Sequence, residues 1–310
     1  MGDLLRVFPM LVSLRKEGLR ASLLTSYPGY RDLLGLLHPS FHPEKVIFWN
    51  LKSRPRLFEK IRLLRRIRRE RFDFLFDTSR GTGWRGNYRL GKLSGARVRV
   101  GFLWEDLGAD YEIRVPFSLR NSILDQNLSL LRAAGFRAGA SFGLNLPSPA
   151  GPPFDVVCHG GAVDPGRNAP SSFWRTLTSL LREEGLRVAA VGGAEESILW
   201  EGCPAENLCG RLSLTELASL LAGALLFVGV DSGPLHLALA LGTPAVGLFG
   251  PTDPEQVVGK RPGFEALTAE YACAPCYRHL PDEKVRCPEP PCLEKLSPER
   301  ALALCRRLLR

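Results

Sequence analysis

Asp231, Ser232, Gly233 and His236 fall within six consecutive positions, after the apolar run 225–230 and at the start of a helical pattern over 234–241. A serine hydroxyl and unhindered glycine amides at a helix start make a ready anion site, because unpaired N–H groups and the helix dipole both favour negative charge there. Pro234 suits the first turn, where its missing N–H would be unpaired anyway. Asp231 repels phosphate but accepts hydrogen bonds from sugar hydroxyls. His236 faces the same space. The same residues would also serve a plainer purpose, an N-capped buried helix with a histidine in the core.

A second anion device lies in 159–174, a glycine-rich loop that follows a strand and leads into a helix expected to be capped by Ser171 or Ser172. Arg167 sits in that loop. An arginine grips phosphate in two places where lysine acts as a point charge; a solvated loop arginine is the ordinary alternative. Glu195 and Glu196 follow Gly192-Gly193 in what reads as a first helical turn, where the dipole stabilises carboxylates. Asp3 opens a helical pattern carried by Leu4, Val7, Met10, Leu11 and Leu14, and reads as its N-cap. A positioned carboxylate can also take a proton from an attacking hydroxyl. Cys273, Cys276, Cys287 and Cys292 have zinc-like spacing, although the second pair is wider than C-x2-C. Zinc, disulfides and free thiols all remain open for this proline-rich loop, and each would be structural.

These residues must be positioned by a sheet. Strands are expected at 19–24, 45–49, 72–77, 97–102, 155–159, 186–191, 225–230 and 244–249, with helices at 56–69, 121–134, 171–184 and 215–222. Short apolar strands alternating with helices of this length indicate parallel α/β sheets built from βαβ units. The breaker-rich stretch 147–153 reads as a linker between residues 1–146 and 154–296, followed by a C-terminal helix in 297–310. Two such domains form a cleft and bind ligands beyond the carboxyl ends of their strands. One irregularity stands at the start: 3–16 reads as a helix where a βαβ domain should open with a strand. The first strand is expected to be missing, with Gly2-Asp3 as the turn that would follow it.

Composition narrows the classes. The chain has 310 residues, 45% hydrophobic and 24% charged, which fits a globular protein of two domains and excludes a fibrous or disordered one. No uncharged apolar run reaches the ~18–20 residues of a membrane span, and no signal peptide is legible, so a cytoplasmic location is expected. A net charge of +9 points to anionic partners. No helix-turn-helix, zinc-finger or RNA-binding signature accompanies it, so nucleic acid is not expected. Segment 60–71 carries seven basic residues. Leu57, Ile61 and Leu64 are expected to form its buried stripe, with Arg62, Arg65, Arg66 and Arg69 outward. Such a face suits anionic lipid headgroups.

The run 228–254 strongly resembles the donor-site signature of the heptosyltransferase family, glycosyltransferase family 9. That signature is an apolar strand, D-[ST]-G-x-x-H, A-x-A-x-G-x-P and L-[FY]-G-P-T, matched by Asp231, Ser232, Gly233, His236, Gly242, Pro244 and Gly250-Pro251-Thr252. The strand ending at Asp77, the Arg99-Val100-Gly101-Phe102 strand end, Gly192-Gly193-Ala194-Glu195-Glu196 and Cys273-Ala274-Pro275-Cys276 are similar to family segments in the same order. The resemblance implies a GT-B architecture of two Rossmann-like domains. It also implies an inverting transfer of heptose from an ADP-heptose donor to the inner core of lipopolysaccharide. By the same carry-over Asp3 is the general base, Arg167 holds the diphosphate, and Glu196 lies near the ribose. Asp231 and His236 hold donor groups, and the Ser232 and Gly233 amides stabilise the leaving diphosphate. No metal or cofactor is implied. The implied acceptor is a phosphorylated lipid A-type molecule, which would bring segment 60–71 to the inner membrane surface. The alternative is a sugar-nucleotide-binding protein with impaired or no transferase activity, because its first strand is missing.

Overall fold

The computed structural model describes residues 1–49, 57–79, 84–104, 108–145, 154–277, 287 and 291–310; the expected linker 147–153 lies outside them. The N-terminal half runs α1 (Gly2–Leu5), α2 (Phe8–Lys16), β1 (Ser22–Thr25), α3 (Tyr30–Gly35), β2 (Lys45–Phe48), α4 (Leu57–Arg69), β3 (Phe74–Asp77), α5 (Trp84–Leu93), β4 (Val98–Leu103), β5 (Ile113–Pro116) and α6 (Ile123–Ala133). The C-terminal half runs β6 (Val156–His159), α7 (Ser171–Glu183), β7 (Val188–Ala190), β8 (Glu206–Asn207), α8 (Leu214–Gly223), β9 (Leu226–Val230), α9 (Gly233–Leu241), β10 (Ala245–Phe249), α10 (Pro254–Val257), β11 (Phe264–Thr268), α11 (Pro291–Glu294) and α12 (Pro298–Leu308).

The C-terminal sheet is continuous and parallel, in the order β11-β10-β9-β6-β7-β8. Every residue of β6, β7, β9 and β10 is buried, as expected of strands covered by helices on both faces. Local chemistry fixes the helices around it. Ser213 and Glu216 form a reciprocal capping box at the start of α8, and Ser297 accepts from the Arg300 N–H at the start of α12. Gly242, at φ 83°, takes the left-handed conformation that closes α9. The C-terminal helix α12 packs on α7 and buries Cys305 and Leu302 in the same core.

The N-terminal sheet comes in two pieces. Strand β1 pairs with β2, and β3-β4-β5 form a separate parallel triple. Helix α2 serves both pieces: Leu11 and Val12 pack with Leu23, Met10 packs with Val100 and Phe102, and Leu14 touches both clusters. No strand precedes α1 among the described residues. Leu4, Leu5 and Phe8 share one apolar cluster with Leu235, Leu237 and Leu239, so the opening turns of the chain dock directly on α9.

Four local expectations are corrected. The pattern over 3–16 is two helices, broken at Arg6-Val7, with Pro9 in the first turn of the second. Asp3 is not a cap: Met1 holds the N-cap position, and the Asp3 carboxylate is drawn to Arg6 one turn on. Helix α7 starts on Ser171 with Pro170 as N-cap and no side-chain cap, because proline fixes the extended entry that a capping serine would otherwise hold. In α4 the buried residues are Leu63 and Ile67, whereas Leu57 and Ile61 are exposed. The helix is rotated relative to the expected stripe because it packs against Ile47 of β2. None of the helices, among the described residues, is long and apolar enough to cross a membrane.

Candidate functional site

Strand β9 ends at Val230, and Asp231 and Ser232 carry the chain into α9 at the carboxyl edge of the C-terminal sheet. Ser232 is the N-cap, with no side-chain bond to its own helix. Its hydroxyl instead meets His159 Nδ1 at 3.0 Å. His159 ends the adjacent strand β6, and its Nε2 lies 3.2 Å from Glu196 Oε2. The Glu196 carboxylate also accepts the Gly193 N–H at 2.9 Å. Gly161 and Gly192 make this possible, since a Cβ on either would collide with the Glu196 carboxylate. Burial works to raise the Glu196 pKa, but the hydrogen bond and charge of His159 and the Gly193 amide outweigh it and hold the carboxyl below its ordinary value. Glu196, His159 and Ser232 therefore form one braced line under the start of α9.

Arg167 reaches the same edge from the loop after β6. Its Nη1 donates to the Asp231 backbone carbonyl at 3.2 Å and to Asp231 Oδ2 at 3.3 Å, while its buried Nε has no hydrogen-bond partner among the described residues. The Asp231 side chain is only 5% exposed. His236 Nε2 stands 3.8 Å from Asp231 Oδ1, beyond hydrogen-bond reach. Burial lowers the His236 pKa, and the nearby Arg6 charge lowers it further, against the pull of Asp231. The imidazole is therefore neutral at pH 7.

Asp3 comes to this edge from the other half. Met1 lies over Gly233, and Gly2 lies against His236, where a Cβ would stand 2.6 Å from His236 Cδ2. The Asp3 side chain is 88% exposed, and Oδ1 accepts from Arg6 Nη2 at 2.5 Å. The structure thus gathers Asp3, Arg167, Asp231, Ser232, Gly233 and His236 around the mouth of α9, with Glu196 one layer behind through His159. Sequence reasoning missed Arg6 and His159. Both carried a signal: His159 ends a strand before two glycines, and Arg6 stands three residues after an acid on a helical pattern. Asp77, at the end of β3, is already engaged by the Tyr111 hydroxyl and the Ser79 amide.

No disulfide joins the cysteines among the described residues. Burial raises the Cys292 pKa, and the neighbouring Cys276 and Cys273 sulfurs raise it further. Among the described residues no group of three or more His, Cys, Asp or Glu side chains is placed to hold a metal ion.

Two parallel-sheet halves meeting over the start of α9 have the GT-B architecture of glycosyltransferases. The fold agrees with solved structures: E. coli ADP-heptose lps heptosyltransferase II superposes with a TM-score of 0.71 at 17% identity, covering 99% of this chain and 95% of that one. E. coli heptosyltransferase WaaC with ADP gives 0.73 at 20%, covering 99% and 97%. The sequence profile of glycosyltransferase family 9 (heptosyltransferase) matches residues 124–285, just over half of the chain. The chain belongs to that family. Lipopolysaccharide heptosyltransferase 1 of Pseudomonas aeruginosa is 32% identical over 165 residues, which is 48% of this chain and 46% of the relative. The chain thus spans about half the length of the curated relatives it matches, or less.

Proposed function

We propose that the protein is an inverting glycosyltransferase that moves a heptose from an ADP-heptose donor to the inner core of lipopolysaccharide. The observation that carries this reading is the row of groups Asp3, Arg6, His236, Asp231 and Arg167 gathered across the junction of the halves. It sets a carboxylate on one side of the α9 mouth and an anion-binding arginine on the other. The diphosphate would rest on the Gly233 amide and on Arg167, whose unmatched Nε is a donor for a phosphate oxygen. As the bond from the sugar's anomeric carbon to that phosphate breaks, negative charge grows on the leaving oxygen. A preorganised guanidinium and helix start stabilise it most at that point. Asp3, exposed and facing the acceptor side, takes the proton of the attacking acceptor hydroxyl. Attack from the face opposite the leaving group inverts the anomeric centre. Asp231 and neutral His236 accept and donate hydrogen bonds to donor hydroxyls, and Glu196 holds the ribose side through the braced loop.

The acceptor in this reading is a phosphorylated lipid A-type molecule. The outer face of α4 would hold the protein at an anionic membrane surface: Leu57 and Phe58 are 73% and 60% exposed beside a row of arginines. One observation favours the second reading, a sugar-nucleotide binder with weak or no transfer: among the described residues the sheet of the half that carries Asp3 is in two pieces. Incubation with ADP-heptose and a lipid A-type acceptor separates the two. Release of ADP coupled to a heptosylated product of inverted configuration supports transfer; tight ADP binding without product supports the binder.

A further inference from the structure

Arg6 is the feature that the site leaves unexplained. Its side chain is 9% exposed, and only Nη2 is matched, on Asp3. Nε and Nη1 are buried with no hydrogen-bond partner among the described residues. Unmatched buried donors on a charged group are costly, so a fold that retains them holds them for a ligand or against strain elsewhere. These atoms border a crevice of about 10 Å³, room for a single oxygen atom, at the junction of the halves, shared with His236 and Arg261 and walled by Leu124, Phe142 and Val257. Arg261 is itself half-buried. Burial lowers its pKa against the pull of Asp125, and its Nη2 donates to the Leu239 carbonyl at 3.2 Å. Phe142 and Arg261 also line an open groove of about 560 Å³ beside the pocket, along Gly143, Leu241 and Gly242. The pocket therefore has an approach, and its neutral histidine adds nothing to the charge of the two guanidiniums.

We propose that Arg6 and Arg261 form an anion subsite that takes an oxyanion of the acceptor, a carboxylate or a phosphate, a few ångströms from the hydroxyl that Asp3 deprotonates. This rests on the reading of Asp3 as the base. Arg6 links the two because its Nη2 is already on the Asp3 carboxylate while its other nitrogens face the pocket. The arrangement meets an electrostatic need. An acidic acceptor approaching an ionised Asp3 would be repelled by it, and that repulsion would also oppose the ionised form of the base. The two guanidiniums cancel the negative charges of Asp3 and Asp125 at the contact, so an incoming oxyanion meets no net repulsion there. Arg6 is in this sense a positioning residue for Asp3 and a ligand for the acceptor at once, whereas Arg167 and Gly233 serve the donor from the other side of His236.

The test uses the full chain and needs no turnover. Glucuronate, inorganic phosphate and uncharged glucose are titrated calorimetrically into the parent protein, Arg261→Gln and Arg6→Lys. Glucuronate or phosphate is expected to bind at least ~10-fold more tightly than glucose, as a charge-assisted contact provides. The tighter of the two anions identifies the acceptor group. Arg261→Gln should remove that preference while leaving ADP affinity within about two-fold. Arg6→Lys, which keeps the charge but has fewer donors, should weaken it less. Where transfer is measurable, Arg261→Gln should raise KM for the acceptor and not for the donor. Equal binding of glucose and the anions, an unchanged anion affinity in Arg261→Gln, or one-for-one competition between the anion and ADP would each overturn the assignment. Absence of transfer with the anion preference intact would count against the proposed reaction and leave the subsite standing.

Discussion

The two sheets of this protein are made of similar strands and are finished to different degrees. In the C-terminal half, β6, β7, β9 and β10 are buried along their whole length, and six strands run without interruption. In the N-terminal half, β1 and β3 each hydrogen-bond on one side only, and Leu24 and Phe74 are 43% and 36% exposed. The difference matches the division of chemistry. The half proposed to bind the donor has a continuous sheet with braced side chains at its edge. The half that carries Asp3 holds it on a four-residue helix that is steadied chiefly by docking on α9. Donor binding is therefore expected to be robust and transfer to be fragile.

Substitutions at the site can pull these two properties apart. The largest effect is expected from Asp3→Asn, which keeps the size of the side chain but cannot accept a proton at neutral pH. Turnover should fall by ~10²–10⁴-fold with ADP affinity near parental; a parental rate with ADP-heptose and acceptor would remove Asp3 from the chemistry. Next comes the sheet comparison itself. Phe227→Ala, in fully buried β9, should lower unfolding free energy by ~3–5 kcal/mol, whereas Leu24→Ala in β1 should stay within ~0.5 kcal/mol. Denaturant titration decides this, and a loss well above 1 kcal/mol at Leu24 would mean that this face is covered in solution. Arg167→Ala is the converse of Asp3→Asn. Losing a charge-assisted phosphate contact of ~1.5–3 kcal/mol should weaken ADP binding by about 10- to 100-fold in calorimetry.

The smallest effect is in pH. His236 is held below its ordinary pKa, so the unfolded chain binds its proton first as pH drops under about 6.5. The stability it contributes is complete above that value and declines as pH falls toward the folded pKa. Glu196, also lowered, behaves likewise one step further down, with its share lost below the ordinary carboxylate range. Thermal melts should show a fall between pH 6.5 and 5 that is reduced in His236→Gln; an identical slope in that variant would contradict a buried neutral imidazole.

Much of the architecture was legible because uninterrupted apolar runs such as 225–230 and 244–249 have few other uses in a chain of this composition. The strands that sequence reasoning passed over are edges or short: β5 reads Ile-Arg-Val-Pro, and β11 carries Glu265 on a half-exposed face. The mouth of α9 was legible because its residue types are local and adjacent. His159 was not, because its partner Ser232 lies 73 positions away. Asp3 stands in the first turn of a helix but does not cap it, since a one-turn ion pair to Arg6 competes with capping and wins here. The orientation of α4 depended on contacts with β2 that periodicity alone does not contain.

Gly2 gives the junction a property that no side chain could supply. Since its backbone lies directly on the His236 ring, the distance between the turn bearing Asp3 and α9 is set by the thickness of a bare peptide. Any β-carbon would act as a spacer and lever the Asp3 turn away from α9 by the width of a methyl group. The calibration of this site is thus recorded in its smallest residue, as a gauge made by leaving an atom out.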